Sequence, residues 1–172
     1  MNLSDDDFTL FGLAPRHGLD RAALDAQWRA LQTQVHPDRF VGEGGAAQRV
    51  AMQWAVRVNE AYQRLKDPLK RGAYLCELGG APIDAERNTA MPAAFLMQQM
   101  AWREALDEAT TADAVESLGD EVAAFEKQLV ADIARLLDEV HDPAGAAQQV
   151  RALMFVQRIR ADIHQRLDAY ET

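Results

Sequence analysis

Apolar residues recur at steps of three or four through most of this chain, and this period is what most constrains its fold. The longest stripe lies in the second half and contains Val115, Leu118, Val122, Phe125, Leu129, Ile133, Leu136 and Val140. Because an α-helix turns once every 3.6 residues, such a stripe lies on one helical face. No sustained period of two, the pattern of a half-buried strand, is present. The sequence therefore predicts an all-α fold.

The first half of the chain predicts a short helix followed by a longer one. The short helix should begin near Ser4, because the acidic residues that follow suit the positive end of a helix dipole, and it should end at Gly12 and Pro15. The longer helix begins with Asp20 as its N-cap and ends before Pro37, which lacks a backbone N–H. Its apolar stripe contains Leu24, Trp28, Leu31 and Val35.

Two further helices and a break complete this half. The third helix follows a glycine-rich loop and carries the stripe Val50, Trp54, Val58, Ala61 and Leu65. It ends at Asp67, which also caps a short fourth helix with Pro68 at its first position. Gly79, Gly80 and Pro82 then interrupt the pattern. We therefore expect a domain at 1–78, a linker at 79–91 and a second domain at 92–172.

The sequence pattern of the second domain predicts three helices. One runs from near Pro92 to about Ala109, and the next begins near Thr111 or Asp113, where Asp113 and Glu116 have the spacing of a capping box. After a turn at 141–143, the last helix carries Ala152, Val156, Ile159, Ile163, Leu167 and Tyr170. Short turns between long helices favour an antiparallel three-helix bundle.

Charge and cysteine content exclude several classes of function. The net charge is −9, and nucleic-acid binding needs a basic face. One cysteine, Cys76, permits neither an internal disulfide nor a paired-cysteine zinc site, and the four histidines lack ligand spacing, so no metal or cofactor is expected. No apolar run is long enough to span a membrane, and the acidic start is unlike a targeting signal. We expect a soluble, cytoplasmic protein.

The loop between the second and third helices contains His36, Pro37 and Asp38, a triplet suited to docking. Pro37 fixes a backbone torsion and so lowers the ordering cost of binding. Asp38 can accept charge-assisted hydrogen bonds, and His36 can donate or accept. Arg29 and Arg39 flank the triplet and could steer a charged partner. Taken alone, the same residues also fit a plain capped turn.

The surroundings of this triplet resemble a J-domain, in which a His-Pro-Asp loop joins two helices. The third helix closes with Asn59-Glu60-Ala61-Tyr62-Gln63-Arg64-Leu65-Lys66-Asp67-Pro68, similar to the stretch that closes a J-domain. The resemblance covers residues 5–78. It implies that the partner of this loop is the ATPase of a DnaK-type chaperone, whose hydrolysis the loop stimulates. Gln32 and Gln34 stand where J-domains usually have more cations, which suggests a specialised chaperone.

The fifth helix has two faces. Phe95, Trp102, Leu106 and Ala109 share a narrow stripe that suffices to bury it. Met97, Met100, Glu104 and Glu108 lie on the opposite side, with Leu96 between the stripes. Methionine is frequent at adaptable binding surfaces, so this side predicts a partner patch with an acidic rim. Isolated exposed apolar residues, or contact with the other domain, are the alternative.

The same helix resembles the signature of the HscB family, the J-type co-chaperones of iron–sulfur cluster biogenesis. The matching stretch is Phe95-Leu96-Met97-Gln98-Gln99-Met100-Ala101-Trp102-Arg103-Glu104-Ala105-Leu106-Asp107-Glu108. The resemblance implies a J-domain hairpin and a three-helix bundle in an L-shaped arrangement, with the bundle binding an IscU-like scaffold for delivery to an HscA-like ATPase. The scaffold-binding residues it implies are Leu96, Met97, Met100, Glu104, Glu108 and Phe155. At Gln98 and Ala101 the family has acids, and their loss weakens the expected electrostatic contact.

Two other functions are compatible with parts of this pattern. One is a J-domain co-chaperone that serves a different client. The other is a helical enzyme that uses His36 and Asp38 as an acid–base pair. The sequence contains no nucleophile motif, phosphate-binding loop or metal-ligand cluster in support of an enzyme. We therefore predict a co-chaperone that is not an enzyme.

Overall fold

The computed structural model describes residues 1–171, and every regular element within them is helical. The α-helices are α1 (Asp7–Leu10), α2 (Arg21–Val35), α3 (Gly45–Lys66), α4 (Pro68–Leu78), α5 (Ala93–Glu108), α6 (Ala112–Asp138) and α7 (Pro143–Glu171). A single 3-10 turn at Pro37–Phe40 follows α2 within this described part of the chain. The prediction of an all-α fold is confirmed.

The chain forms two compact units, one ending at Arg71 and the other beginning at Gly72. The division falls inside α4 because the end of that helix packs on the start of α7. A Cβ added to Gly79 would lie 2.7 Å from Cγ of Pro143, so only glycine allows this approach. The domain limits given above, 1–78 and 92–172 with a linker at 79–91, remain a prediction.

In the first unit, α2 and α3 form an antiparallel hairpin. Trp28 of α2 stacks on Tyr62 of α3 with ring centroids 4.1 Å apart. The Tyr62 hydroxyl donates to Asp25 Oδ1 at 2.8 Å, which joins the start of α2 to the end of α3. Phe8 and Phe11 are 1% exposed and complete the core from the chain's first turns.

Local caps were predicted well in this unit. Asp20 Oδ1 accepts from the backbone N–H of Ala22 at 3.0 Å, and Asp67 Oδ1 accepts from that of Leu69 at 2.9 Å. Both carboxylates satisfy N–H groups that the first turn of a helix leaves without a partner. The predicted starts of α2 and α4 are therefore confirmed.

Two details of the first unit were predicted wrongly. The first helix begins at Asp7 with Asp6 as its N-cap, and not near Ser4. Val50, placed in the buried stripe of α3, is 51% exposed, while Ala51 is 3% exposed. The buried face of α3 therefore begins one residue later than the apolar pattern indicates.

In the second unit, α5, α6 and α7 form the predicted bundle. Glu126 of α6 pairs with Arg160 of α7 at 2.9 Å, and Gly119 of α6 lies against Ile163, whose Cγ2 would be 3.3 Å from an added Cβ. The partners run in opposite order along the two helices, so α6 and α7 are antiparallel. The interior of the bundle is formed by Val115, Val122, Ile133, Val150, Val156 and Ile159.

Of the two starts predicted for α6, the structure confirms Thr111. Thr111 is the N-cap, and its Oγ1 accepts from the N–H of Ala114 at 3.1 Å, whereas the capping box predicted at Asp113 is wrong. The predicted end of the stripe is also wrong. Val140 lies beyond the end of α6 and is 51% exposed. The other residues of the predicted stripe are buried or half-buried.

The segment at 79–91 is anchored to α7 by one side chain. The guanidinium of Arg151 donates to the carbonyl oxygens of Pro82, Ile83 and Ala90 at 3.3, 3.0 and 3.1 Å. Arg151 is 6% exposed, so these carbonyls replace the water that a buried cation loses. The segment therefore has a fixed path along the bundle, although its composition is that of a linker.

Candidate functional site

The His-Pro-Asp loop lies at the tip of the α2–α3 hairpin. Helix α2 ends at Val35 because Pro37 disfavours helical geometry at the residue before it. His36 accordingly has extended backbone angles, φ −62° and ψ 127°. Pro37 then occupies the first position of the 3-10 turn, where its missing N–H is not needed.

Within the loop, the side chain of His36 caps the turn that contains Asp38. Its Nδ1 accepts from the backbone N–H of Asp38 at 3.2 Å. In the neutral ring this leaves the proton on Nε2, where it can be donated outward. The side chains of His36 and Asp38 are 58% and 85% exposed, so both reach a docking partner without rearrangement of the core.

The two flanking arginines lie on the same surface. Arg39 Nη1 donates to the carbonyl oxygen of Thr33 at 3.2 Å, one of the carbonyls that the end of α2 leaves without a partner. Arg29, Arg39 and His36 line a shallow concavity together with Gln32 and Thr33. The predicted chaperone-binding residues are therefore adjacent, with a basic concavity beside the carboxylate of Asp38.

The two-faced character predicted for α5 is confirmed. Met97 and Met100 are 75% and 71% exposed, and Leu96 is 46% exposed. Glu104 and Glu108 are exposed one and two turns further along the same side. The opposite face is buried at Phe95, Trp102 and Leu106. We refer to Leu96, Met97, Met100, Glu104 and Glu108 as the α5 patch.

Phe155, predicted as a sixth member, lies on α7 at the level of Leu96. Arg103 of α5 forms an ion pair with Asp162 of α7. Leu96 lies seven residues, or two helical turns, before Arg103, and Phe155 lies seven residues before Asp162. Helices α5 and α7 run parallel, because Arg166, beyond Asp162 on α7, donates to the carbonyl oxygen of Ala109, beyond Arg103 on α5. Phe155 is half-buried, and the guanidinium of Arg158 lies 5.2 Å from its ring centroid. Phe155 therefore borders the α5 patch.

Sequence reasoning did not identify the residues that set this register. Arg103 and Asp162 are 59 positions apart, and no local pattern connects them. Beneath the patch, the Trp102 ring meets Phe125 edge-on at 4.9 Å, and Phe95 stacks on Phe125 at 5.8 Å. This aromatic cluster and the ion pair hold α5 against both neighbouring helices.

The described residues contain neither a metal-binding cluster nor a membrane-spanning helix. Among residues 1–171, no three His, Cys, Asp or Glu side chains are grouped so as to hold a metal ion. Within that same range, no helix is both long enough and apolar enough to cross a membrane.

Comparison with known proteins places the chain in a family. The model described as the HSCB C-terminal oligomerisation domain matches residues 91–164. The co-chaperone protein HscB homolog of Burkholderia multivorans is 49% identical over 175 residues, covering 100% of this chain and 99% of that protein. The homolog of Bordetella petrii is 50% identical over 161 residues, covering 93% and 95%.

Solved structures agree with this placement. Chaperone HscB from Vibrio cholerae is 32% identical and superposes with a TM-score of 0.82 over 96% of this chain and 99% of that one. Human co-chaperone protein HscB is 27% identical, with a TM-score of 0.86 over 96% and 84%. Since about half of all positions match over nearly the full length of the bacterial relatives, the chain belongs to the HscB family of co-chaperones.

Proposed function

We propose that this protein is a co-chaperone of iron–sulfur cluster assembly with two docking sites. The α5 patch and Phe155 bind an IscU-like scaffold protein. The loop at His36, Pro37 and Asp38 engages an HscA-type ATPase of the DnaK class and stimulates its hydrolysis. The protein itself performs no catalysis. It brings the scaffold to the ATPase, and its membership of the HscB family supports this role.

The observation that carries the proposal is the exposed, capped geometry of the His-Pro-Asp loop. His36 and Asp38 project from the hairpin tip while the backbone between them is held by the hydrogen bond to His36 Nδ1. A loop that is ordered before binding loses less conformational entropy when a partner docks. The exposed Asp38 carboxylate can accept from an arginine of the ATPase, and a charge-assisted bond of this kind is stronger than a neutral one.

The second site is supported by the exposure of apolar side chains on α5. Met97 and Met100 lie in water although the same helix already buries a full apolar face. The buried face of α5 includes neither methionine, and an adjacent apolar pair with an acidic rim has the composition of a partner interface. Burial of two methionines and part of Leu96 would supply the apolar centre of that interface.

Separation of the two activities tests the proposal. We expect Asp38→Asn to abolish stimulation of an HscA-type ATPase and to leave the affinity for an IscU-like scaffold unchanged. We expect Met97→Ala combined with Met100→Ala to weaken scaffold binding roughly thirtyfold, about 2 kcal/mol, and to leave stimulation in the absence of scaffold intact. Steady-state ATPase rates and calorimetry measure the two quantities.

Matched controls locate each effect. Glu43→Gln removes an exposed charge close to the loop, and Met52→Ala truncates an exposed methionine of α3. Neither change should alter scaffold affinity, and Glu43→Gln should leave ATPase stimulation intact. Stimulation by Asp38→Asn at the normal rate would contradict the docking role of the loop. If the unaltered chain stimulated the ATPase but did not bind the scaffold, it would instead be a co-chaperone that serves a different client.

A further inference from the structure

The two most exposed methionines in the described part of the chain are the two in the α5 patch. Met97 and Met100 are 75% and 71% exposed, against 65% for Met1 and 58% for Met52. Met91 and Met154 are half-buried. Oxidants in solution therefore reach both sulfur atoms of the patch more readily than those at the other methionines, and the two lie one helical turn apart on the same side.

We propose that Met97 and Met100 are a modification site at which reversible oxidation by peroxide switches off scaffold binding. This inference rests on the proposed function and adds a means of regulation to the same surface. A thioether is an apolar contact group, whereas a sulfoxide is polar and chiral. The change converts the apolar centre of the α5 patch into a hydrated one.

The reaction balances with one peroxide molecule for each methionine. A lone pair of the thioether sulfur attacks one oxygen of hydrogen peroxide, so that the sulfur–oxygen bond forms and the oxygen–oxygen bond breaks. The sulfur loses two electrons, and the second peroxide oxygen leaves as hydroxide. The oxygen bound to sulfur gives up its proton, and the hydroxide takes up a proton to become water. Methionine sulfoxide reductases reverse the change, consuming two thiols, which become a disulfide, and releasing water.

The position of Met97 and Met100 indicates that their oxidation should affect scaffold binding and not the stability of the fold. Met97 and Met100 are largely exposed, so an oxygen added to either side chain meets mostly solvent in the folded chain. The buried face of α5, formed by Phe95, Trp102 and Leu106, lies on the opposite side and contains no methionine. Oxidation at the patch should therefore leave the free energy of unfolding unchanged.

Burial of a sulfoxide costs free energy that burial of a thioether does not. A sulfoxide oxygen accepts hydrogen bonds, and the exposed acids on this side of the helix, Glu104 and Glu108, are also acceptors when ionised. Arg103, the cation of α5, is already paired with Asp162 of α7. Covering the oxidised patch with an apolar partner surface would therefore take polar groups out of water without replacing all of their hydrogen bonds. The expected result is a higher dissociation constant for the scaffold.

The test uses the full chain, hydrogen peroxide and a purified IscU-like scaffold. Peptide mass spectrometry over time should show sulfoxide forming fastest at Met97 and Met100. After conversion of both, the dissociation constant should rise roughly tenfold or more, and treatment with methionine sulfoxide reductases should restore it. The thermal unfolding midpoint should not move.

Variants separate the patch from the remaining methionines. The double variant Met97→Leu and Met100→Leu should bind the scaffold with the same affinity before and after treatment with peroxide. Met52→Leu, as a matched control on α3, should still lose binding on oxidation. If Met97 and Met100 oxidised more slowly than the other methionines, or if the oxidised and untreated chains bound the scaffold equally well, the oxidation switch would be overturned and the proposed scaffold contact would stand. Failure of the untreated chain to bind the scaffold would overturn the proposed scaffold contact and the switch with it.

Discussion

The imidazole of His36 accepts a hydrogen bond from the backbone N–H of Asp38 at 3.2 Å, through Nδ1. One side chain thus orders the loop and, through Nε2–H, presents a donor to a partner. The two roles belong to different ring nitrogens, so substitutions can separate them.

Asparagine at position 36 should preserve the loop and remove its donor. The side-chain oxygen of His36→Asn can accept from the N–H two residues later, as asparagine commonly does in turns, but nothing replaces Nε2–H. We expect ATPase stimulation to be lost while the free energy of unfolding changes by less than about 0.5 kcal/mol, as is usual for exposed positions. Steady-state ATPase assays and urea unfolding measure both.

The contrasting variant is His36→Gln, whose longer side chain no longer places an acceptor at the Nδ1 position. It should lose stimulation as well. If His36→Asn stimulated normally and His36→Gln did not, the ATPase would recognise the shape of the turn and not the Nε2 donor.

Interactions between neighbours in the sequence could be predicted, and those between distant residues could not. The caps at Asp20 and Asp67 depend on residues two or three positions away, so composition alone indicates them. The two faces of α5 follow from helical period for the same reason. The three carbonyl groups that accept from Arg151 lie 61 to 69 positions from it. An apolar stripe does not indicate that an arginine within it is buried, so this contact could not be predicted.

The acidic rim of the α5 patch should act on the rate of scaffold association. Glu104→Gln combined with Glu108→Gln removes two exposed charges and leaves the apolar centre in place. We expect a several-fold slower association at low salt and little difference at about 1 M salt, where charges are screened beyond about 3 Å. Stopped-flow measurements across a salt series test this, and an unchanged salt dependence would contradict it.

Asp7 should be one of the most sensitive positions in the first unit. Its carboxylate is fully buried between Arg57, at 2.7 Å, and Arg64, at 3.0 Å. Asp7→Ala leaves these cations without their counter-charge, and removal of one partner from a buried pair costs about 3–5 kcal/mol. Since both arginines retain some exposure, we expect a value near 3 kcal/mol in urea unfolding. Asp5→Ala, which removes a neighbouring carboxylate, should cost about 0.5 kcal/mol or less.

Arg151 should determine whether the segment at 79–91 resists proteolysis. Arg151→Lys keeps the charge, but an ammonium group cannot reproduce the planar fork that reaches three carbonyls. We expect trypsin to cleave after Arg87, inside the released segment, roughly tenfold faster or more. The control Arg135→Lys changes an exposed arginine of α6 and should leave that rate unaltered. Equal cleavage of both variants would show that other contacts fix the segment.

Cys76 should be an unreactive thiol whose ionisation weakens the fold at high pH. It is fully buried on α4, and burial raises its pKa from an ordinary 9.0 to about 11. At pH 8 the folded chain should react with iodoacetamide about a hundredfold more slowly than the unfolded chain, because only the thiolate attacks.

The raised pKa of Cys76 should also make stability depend on pH. Between pH 9 and 11 the unfolded chain releases the thiol proton before the folded chain does, so the stability present below pH 9 is lost as pH rises towards 11. Cys76→Ala has no such proton. It should be about 1 kcal/mol less stable at pH 7 because of the cavity it leaves. In urea unfolding this gap should close as pH rises from 9 towards 10, and Cys76→Ala should be the more stable chain at pH 10.5. A gap that stays constant would show that the thiol titrates alike in both states.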